Sequence, residues 1–393
     1  MERKKVTYLV VVAVLCTALI ASLLTYYFTT RSIESGELYL KGQSYEELMK
    51  YFELEKVKDI VDEYYIRQVE PEELLEGTLS GMIEYLGDGH SAFYTEEDYR
   101  YFDEKSEGSY IGLGMMLRKD GENYPIVQQV FPDTPAYDAG IVPGDQILSI
   151  DDKDTRMMDL DGVLGRIRGI EGTVARITVQ SGAETKQLEL PRRVSELQLV
   201  MTDMINAKVG YVNIVEFSGN SVSDFEKAFS SLQQEGAQAM VIDLRGNQGG
   251  NISQAMEIAD MLLGEGEIAH VMGREKQGNS WKSSGDVRYD EPIVLLVDEE
   301  TEGVSEVFAA ALQEQGRATV LGEKTKGSAV QTSFFEVPST GNVVKLVTGR
   351  YCTAGGTEVD GNGVTPNEQY DDAADAQSEQ TILTKAAELL GLQ

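Results

Sequence analysis

The stretch that decides the fold is "AQAMVIDLRGNQGG", residues 237–250 of the 393-residue chain. Its first half is a short continuous run of mostly apolar residues, which is typical of a strand covered on both faces. The run ends in Asp243 and Arg245, and a turn closed by Gly249 and Gly250 follows. A helical pattern, "ISQAMEIADMLLGEG", comes next. This strand–turn–helix order predicts an α/β core with polar groups where the strand ends.

The same alternation extends on both sides, from residue 194 to 375. Two further apolar runs, "KVGYVNIVEF" and "PIVLLVD", predict strands, and "ATVLGEKT" predicts another. "SVSDFEKAFSSLQQEG" and "SEVFAAALQEQG" have the apolar spacing of helices. The core is therefore predicted to hold a partly parallel sheet, and "TILTKAAELLGLQ" predicts a C-terminal helix within 376–393.

Residues 108–193 show a different pattern, with short β-rich runs separated by turn signals. "YIGLGMML" and "YPIVQQVF" are expected to be strands, "DTPAYDAG" a short helix ended by Gly140, and "MDLDGVLGRIRGIEG" a longer helix. Residues 51–107 predict a helical segment, with breaks near Pro71 and from Gly87 to Gly89. The chain as a whole is predicted to be a multidomain α/β protein.

The N-terminus combines basic residues with an apolar run. Arg3, Lys4 and Lys5 precede roughly twenty mostly apolar residues, which is enough to cross a bilayer. The flanking charges place the N-terminus in the cytoplasm. We expect an uncleaved transmembrane signal anchor over 1–30, a linker or stalk over 31–50, and the bulk of the chain outside the cell membrane. A cleaved signal peptide is the alternative, although "ALIAS" matches a cleavage site poorly.

Composition excludes several classes of function. The net charge of −32 repels nucleic acid, so we expect no nucleic-acid partner. The two cysteines, Cys16 and Cys352, predict no disulfide framework. With two histidines and no Cys/His cluster, a zinc site of the usual kind is not expected, and we predict neither metal nor cofactor.

The middle unit resembles a PDZ domain. "GLGM" resembles the loop that receives a peptide carboxylate on backbone N–H groups, and "DTPAYDAGIVPGDQILSIDD" resembles the helix-turn-strand of that fold. An extended peptide would add to the sheet edge, and glycines would let its carboxylate approach the backbone. The resemblance therefore implies peptide C-termini as partners, with these candidate peptide-binding residues: Gly112, Leu113, Gly114 and Met115.

The chain from about residue 54 to 390 resembles the carboxyl-terminal processing proteases, also called tail-specific proteases. "DLRGNQGG" is similar to their D-L-R-x-N-x-G-G motif, and "GMIEYLGDGHSAFY" is similar to the segment before their PDZ domain. "GRYCTAGGTEVDGNGVTPN" resembles a later motif of the same family. The resemblance implies a serine endopeptidase with a Ser–Lys dyad, in which a lysine kept neutral by desolvation takes the serine proton.

Both members of that dyad are replaced here. The family pattern S-A-S-A-S-E aligns its attacking serine with Gly303, and G-x-x-T-F-G-K-G-x-V-Q aligns its lysine with Ser328. The retained framework is Glu306, Gln331 and an oxyanion-type turn at Gly249 and Gly250. The sequence therefore predicts a catalytically inactive scaffold, a pseudoprotease, which binds peptide tails, an active paralogue or a second copy of the chain.

An active serine endopeptidase with a rearranged dyad is the alternative. Ser305 could attack with Lys326 as its base. However, Ser305 lies two residues after Gly303, which is about 200° around the helix, so its side chain should point away from the direction of position 303. A Ser–His–Asp arrangement that uses His90 or His270 is a second way in which the chain could be active. We expect instead that both histidines are structural. The acids at 298, 299, 300, 302 and 306 crowd the expected oxyanion site, where negative charge disfavours a developing oxyanion.

Overall fold

The computed structural model describes residues 17–23, 45–96, 98–99, 110–119, 121, 123–195, 197–275, 278–370 and 378–392. The chain forms two compact units, Met1–Gly77 and Thr78–Gln393. The helices, after a helical segment over 17–23, are α1 Tyr45–Tyr64, α2 Pro71–Glu84, α3 Pro135–Asp138, α4 Leu160–Ile167, α5 Ser221–Glu235, α6 Ile252–Asp260, α7 Val304–Glu314 and α8 Ser378–Leu389. The strands are β1 Ala92–Tyr94, β2 Tyr110–Gly112, β3 Met115–Arg118, β4 Ile126–Val130, β5 Gln146–Ile150, β6 Lys153–Asp154, β7 Val174–Ser181, β8 Glu184–Pro191, β9 Arg193–Ser195, β10 Val200–Asn206, β11 Val209–Ile214, β12 Ala239–Asp243, β13 Gly266–Gly273, β14 Ser280–Ser283, β15 Ile293–Val297, β16 Ala318–Gly322, β17 Val330–Glu336, β18 Val343–Thr353 and β19 Glu368–Gln369.

The N-terminal region contains two of the predicted helices. α1 begins at Tyr45, inside the segment predicted as linker or stalk, and α2 begins at Pro71. Proline suits the first helical position, because its missing N–H would have no partner there. Most of the predicted anchor, Cys16 included, lies outside the described residues. Among the helices that are described, none combines the length and the apolar composition needed to cross a bilayer.

The middle unit is built on a sheet of order β3-β4-β5-β7-β8, with β6 beside β5 and a separate β2–β9 pair. Its core packs Leu113, Ile147 and Ile177 against Val163 and Ile167 of α4. The sequence predicted one strand across "YIGLGMML", which was wrong. Two strands, β2 and β3, flank the loop of Leu113 and Gly114, because Gly114 has a φ of +79° that breaks the extended run.

The core unit confirms the α/β prediction. Its six-stranded sheet has the order β10-β11-β12-β15-β16-β19, antiparallel at β10–β11 and parallel beyond. Every residue of β12 and β15 is buried, because α5, α6 and α7 cover one face while α8 packs on the other. A second, antiparallel sheet contains β1, β13, β14, β17 and β18, and the sequence did not predict it.

Candidate functional site

The first component of the site is the sharp turn between β15 and α7. Gly303 is the N-cap of α7 and has φ 66° and ψ −131°, a conformation in which a side chain would be strained. A Cβ added there would lie 3.2 Å from the carbonyl oxygen of Gln248. The Asp298 carboxylate fixes the start of the turn by accepting from the Gly246 and Thr301 N–H groups at 2.9 and 2.8 Å. The turn has the strand-to-helix form of a nucleophile elbow, but Gly303, at the position of the nucleophile, has no side chain to attack with.

The second component is the loop between β16 and β17, which contains Ser328. The Gly303 N–H donates to the Ser328 carbonyl at 3.0 Å, so the two positions are adjacent. The Ser328 hydroxyl lies 2.9 Å from His90 Nε2, and both residues are half-buried and line the same cleft. The structure therefore places an imidazole beside the residue that stands at the predicted base position.

Glu306 holds the turn and the loop together. Its carboxylate is fully buried and accepts from the N–H groups of Gly303, Gly327 and Ser328 at 3.2, 2.7 and 2.8 Å, and from the Thr325 hydroxyl. Burial raises the pKa of Glu306, and the four hydrogen bonds oppose that shift. Glu306 thus faces the protein interior, which corrects the expectation that it crowds an oxyanion site.

Two other acids near the turn, Glu300 and Glu302, are paired with cations. Glu300 binds Arg118 and accepts from Gln128, while Glu302 binds Lys326. These pairings neutralise charge that the sequence placed beside the expected oxyanion. The Coulomb argument against an oxyanion is therefore weaker than the count of acids suggested.

The glycine turn after β12 is organised by Asn247. This fully buried side chain accepts from the Gly249 N–H at 2.8 Å and from the Ser305 hydroxyl at 2.6 Å, and it donates to the Ile214 carbonyl at 2.7 Å. The Gly249 N–H is consequently directed at Asn247 rather than at the cleft. Gly250 lies against Phe217, whose carbonyl would be 2.5 Å from an added Cβ.

A cleft of about 2380 Å³ connects these elements with the middle unit. Gly303, Ser328 and His90 line it from the core, and Met115 and Leu164 line it from β3 and α4. The middle unit also contacts the glycine turn directly, because Gln128 donates to the Gly246 carbonyl at 2.9 Å. A peptide held along the exposed edge of β3 would therefore lie in the same cleft as the turn at Gly303.

Comparison with known proteins gives the family. Residues 208–370 match peptidase family S41, residues 126–181 match a PDZ domain, and residues 19–98 match the N-terminal domain of the activating protease CtpB. The chain is 30% identical over 357 residues to the carboxy-terminal processing protease CtpA of Bacillus subtilis, covering 90% of this chain and 75% of that protein. The chain belongs to the carboxyl-terminal processing proteases.

Other members of the processing protease family support the same assignment. A carboxyl-terminal-processing protease of Picosynechococcus is 32% identical over 294 residues, covering 73% of this chain and 70% of that protein. The solved structure of a photosystem II D1 C-terminal processing protease superposes with a TM-score of 0.62 at 23% identity, covering 84% of this chain and 90% of that chain. The first of these supports the family, and the second supports the fold.

The rearranged dyad of Ser305 and Lys326 is not assembled in the structure of this processing protease homologue. Ser305 is fully buried, and its hydroxyl donates to Asn247. Lys326 lies in the loop between β16 and β17, and its amine binds Glu302. Each group has a different partner, so no proton path joins them. Gln331 lies on β17, paired with Gly349 of β18, where it supports the loop that carries Ser328.

The peptide-binding candidates lie from the end of β2 to the start of β3, before residues 126–181 that match a PDZ domain. Gly112 ends β2, Leu113 and Gly114 form the loop, and Met115 starts β3, which is the terminal strand of its sheet. An added Cβ on Gly114 would lie 2.1 Å from Thr134 Cβ, so only glycine fits beneath the loop. The loop backbone can therefore approach the start of α3 closely.

Sequence reasoning missed three residues of the site. It treated His90 as structural, did not consider Asn247, and overlooked Lys345, a lysine that is only 7% exposed in the wall of the cleft. Burial lowers the pKa of Lys345, and the charges of Asp159 and Asp88 oppose that shift. His270, the other histidine considered, pairs with Glu267 at 2.8 Å and has a structural role in β13. A polar residue within an apolar strand was the one available signal for Lys345.

Proposed function

We propose that this processing protease homologue is a pseudoprotease, a peptide-binding scaffold that does not cleave peptide bonds. The observation that carries the proposal is Gly303, which supplies the backbone conformation of a nucleophile turn without any nucleophile. Ser328 at the base position cannot act as a base near neutral pH without a group that removes its own proton. The Gly249 N–H, committed to Asn247, further weakens oxyanion stabilisation.

The binding function rests on the PDZ domain. Its edge strand β3 and the loop of Leu113 and Gly114 would take an extended peptide and its terminal carboxylate. The contact of Gln128 with the glycine turn supports presentation of that peptide over the silent cleft. An active paralogue or a second copy of this chain is the proposed protein partner. The proposed location is the cell membrane, with the N-terminal anchor spanning it and the bulk of the chain outside.

The proteolysis test uses the full chain in mild detergent with an unfolded protein that has an apolar C-terminus. We expect no turnover by the wild-type chain. The double variant Gly303→Ser with Ser328→Lys restores the dyad residues and should gain measurable cleavage. Wild-type turnover that is lost in Ser305→Ala or Lys326→Ala would refute the proposal and establish the rearranged endopeptidase.

The binding test compares one fluorescent peptide with a free and with an amidated C-terminus. Hydrogen bonds to a charged group contribute about 1.5–3 kcal/mol, so amidation should weaken binding roughly 10- to 100-fold. Equal affinity for both peptides would show that the loop of Leu113 and Gly114 does not receive a carboxylate. The proteolysis test would remain valid in that case.

A further inference from the structure

The pair formed by Ser328 and His90 is not explained by the proposed scaffold function. Ser328 Oγ and His90 Nε2 are 2.9 Å apart, which is the distance expected between a hydroxyl nucleophile and its base. Both residues line the cleft, together with Gly303 and Val304. A pair that served packing alone would not need to open onto a cleft of this size.

The backbone of each member of the pair is held in place by a nearby carboxylate. The Asp88 carboxylate accepts from the His90 and Ser91 N–H groups at 2.8 and 2.6 Å and from the Ser91 hydroxyl at 2.7 Å. The Ser328 N–H donates to Glu306 at 2.8 Å. The hydroxyl and the imidazole are therefore preorganised by separate buried or turn-forming carboxylates, a condition for efficient proton transfer.

We propose that Ser328 and His90 form a Ser–His pair that hydrolyses activated carboxylic esters. In the processing proteases the attacking hydroxyl stands at the position of Gly303. Here the hydroxyl stands instead at Ser328, the position of the family's lysine. The imidazole of His90 then replaces the missing lysine. This activity goes beyond the scaffold function and does not replace it.

The reaction runs through an acyl-enzyme. Ser328 Oγ bonds to the acyl carbon, its proton passes to His90 Nε2, and the bond to the leaving alkoxide or phenoxide breaks. The leaving group takes the proton from His90. Water then attacks the acyl carbon, giving a proton to His90, and Ser328 recovers that proton as the acid departs. The net reaction consumes one ester and one water and yields one acid and one alcohol.

The same geometry explains why peptide bonds are not substrates. An amine leaving group must be protonated as it departs and needs a well-formed oxyanion site, whereas a phenoxide leaves unaided. The Gly249 N–H is committed to Asn247, which removes one oxyanion donor from the cleft, and the N-terminal end of α7 at Val304 contributes only a partial positive charge there. Within the residues that the structure describes, no carboxylate hydrogen-bonds His90 Nδ1 to complete a triad.

The experiment labels the full chain with an alkyl fluorophosphonate, which replaces its fluoride by a serine oxygen. Peptide mapping of the wild-type adduct should locate it on Ser328. The Ser328→Ala variant should lose labelling and the hydrolysis of a nitrophenyl ester, and His90→Gln should slow both by about 100-fold or more. The matched control is Ser333→Ala, because the Ser333 hydroxyl on β17 binds the Thr348 hydroxyl instead of an imidazole.

An adduct on any other residue, or no adduct, would overturn the proposal even if a variant failed to fold, because the map uses the wild-type chain. Equal labelling rates in wild type and in folded His90→Gln would remove His90 from the mechanism and also overturn the pair. Protein cleavage that disappears in Ser328→Ala would refute the scaffold function but not the pair. The two proposals can therefore fail separately.

Discussion

Replacement of Glu306 by glutamine tests the buried connection between the turn and the loop. In the wild type, Oε1 accepts from Thr325 and Gly327, and Oε2 accepts from Gly303 and Ser328. A glutamine amide keeps one of these acceptors and replaces the other by an NH₂ group. The Thr325 hydroxyl can turn to accept, but a backbone N–H cannot, so at least one buried backbone donor loses its partner.

The expected cost follows from that count. An unsatisfied buried donor costs about 1–3 kcal/mol, and removal of a buried charge offsets part of any larger loss. We therefore expect Glu306→Gln to lower the free energy of unfolding by about 2 kcal/mol at pH 7. For a domain of this size, that corresponds to roughly 4–8 °C in Tm, measured by differential scanning calorimetry.

The raised pKa of Glu306 also predicts how the stability difference between the wild type and Glu306→Gln changes with pH. Burial raises the pKa of Glu306, so the folded state binds its proton more readily than the unfolded state. The stability contributed by protonated Glu306 is complete below the ordinary glutamate pKa and is lost as pH rises through the raised value. The wild type should therefore gain stability relative to Glu306→Gln as pH falls from neutral towards the ordinary glutamate pKa of about 4.3.

The matched control is Glu314→Gln at the other end of α7. Glu314 accepts from Thr353 and Gly355 but is exposed, so water can replace the lost acceptor and Tm should change little. An unchanged Tm in Glu306→Gln would refute the reasoning. So would a stability difference that moved in the opposite direction with pH.

Two further variants test the remaining parts of the site. Asn247→Ala removes three buried hydrogen bonds and should lower the free energy of unfolding by about 3 kcal/mol in urea titration, and a loss below about 1 kcal/mol would contradict this. Gly114→Ala places a Cβ 2.1 Å from Thr134 Cβ and should abolish peptide binding, whereas Gly121→Ala, also at positive φ but with no atom within 4 Å, should retain it. Equal binding by these two variants would show that close approach at Gly114 is not required.

The sequence predicted the parallel core well because its strands are continuous apolar runs. β12 and β15 are buried on both faces, so composition alone marked them, and α5 and α7 had clear helical spacing. The antiparallel sheet was missed although β13–β14 and β17–β18 are local hairpins, and its other two pairings join strands that are far apart along the chain. β1 and β18, for example, pair Ala92 with Lys345, and local patterns carry no information about such a contact.

For the site, too, the sequence predicted local features but not contacts between distant segments. Alignment with the family placed Gly303 and Ser328 at the positions of the dyad, and helix geometry predicted that Ser305 turns away from Gly303, as its bond to Asn247 now shows. The partner of Ser328 could not be predicted in this way. His90 precedes Ser328 by 238 residues, and the pairing of β1 with β18, together with the hydrogen bond from Val347 to Ser91, brings the segment of His90 against the core.

The retained framework and the lost dyad are compatible because they use different atoms of the same residues. Glu306 binds the backbone N–H groups of Gly303, Gly327 and Ser328, and these bonds do not depend on the side chains at 303 and 328. The dyad can therefore change without loosening the loop. Conversely, a framework held by backbone contacts keeps any hydroxyl at 328 in a fixed position, which is why Ser328 can be matched to a new base from a distant segment. The chemistry of this cleft thus depends on the residues at 303 and 328 and on His90, while Glu306 and Asn247 hold the backbone around positions 303, 328 and 249.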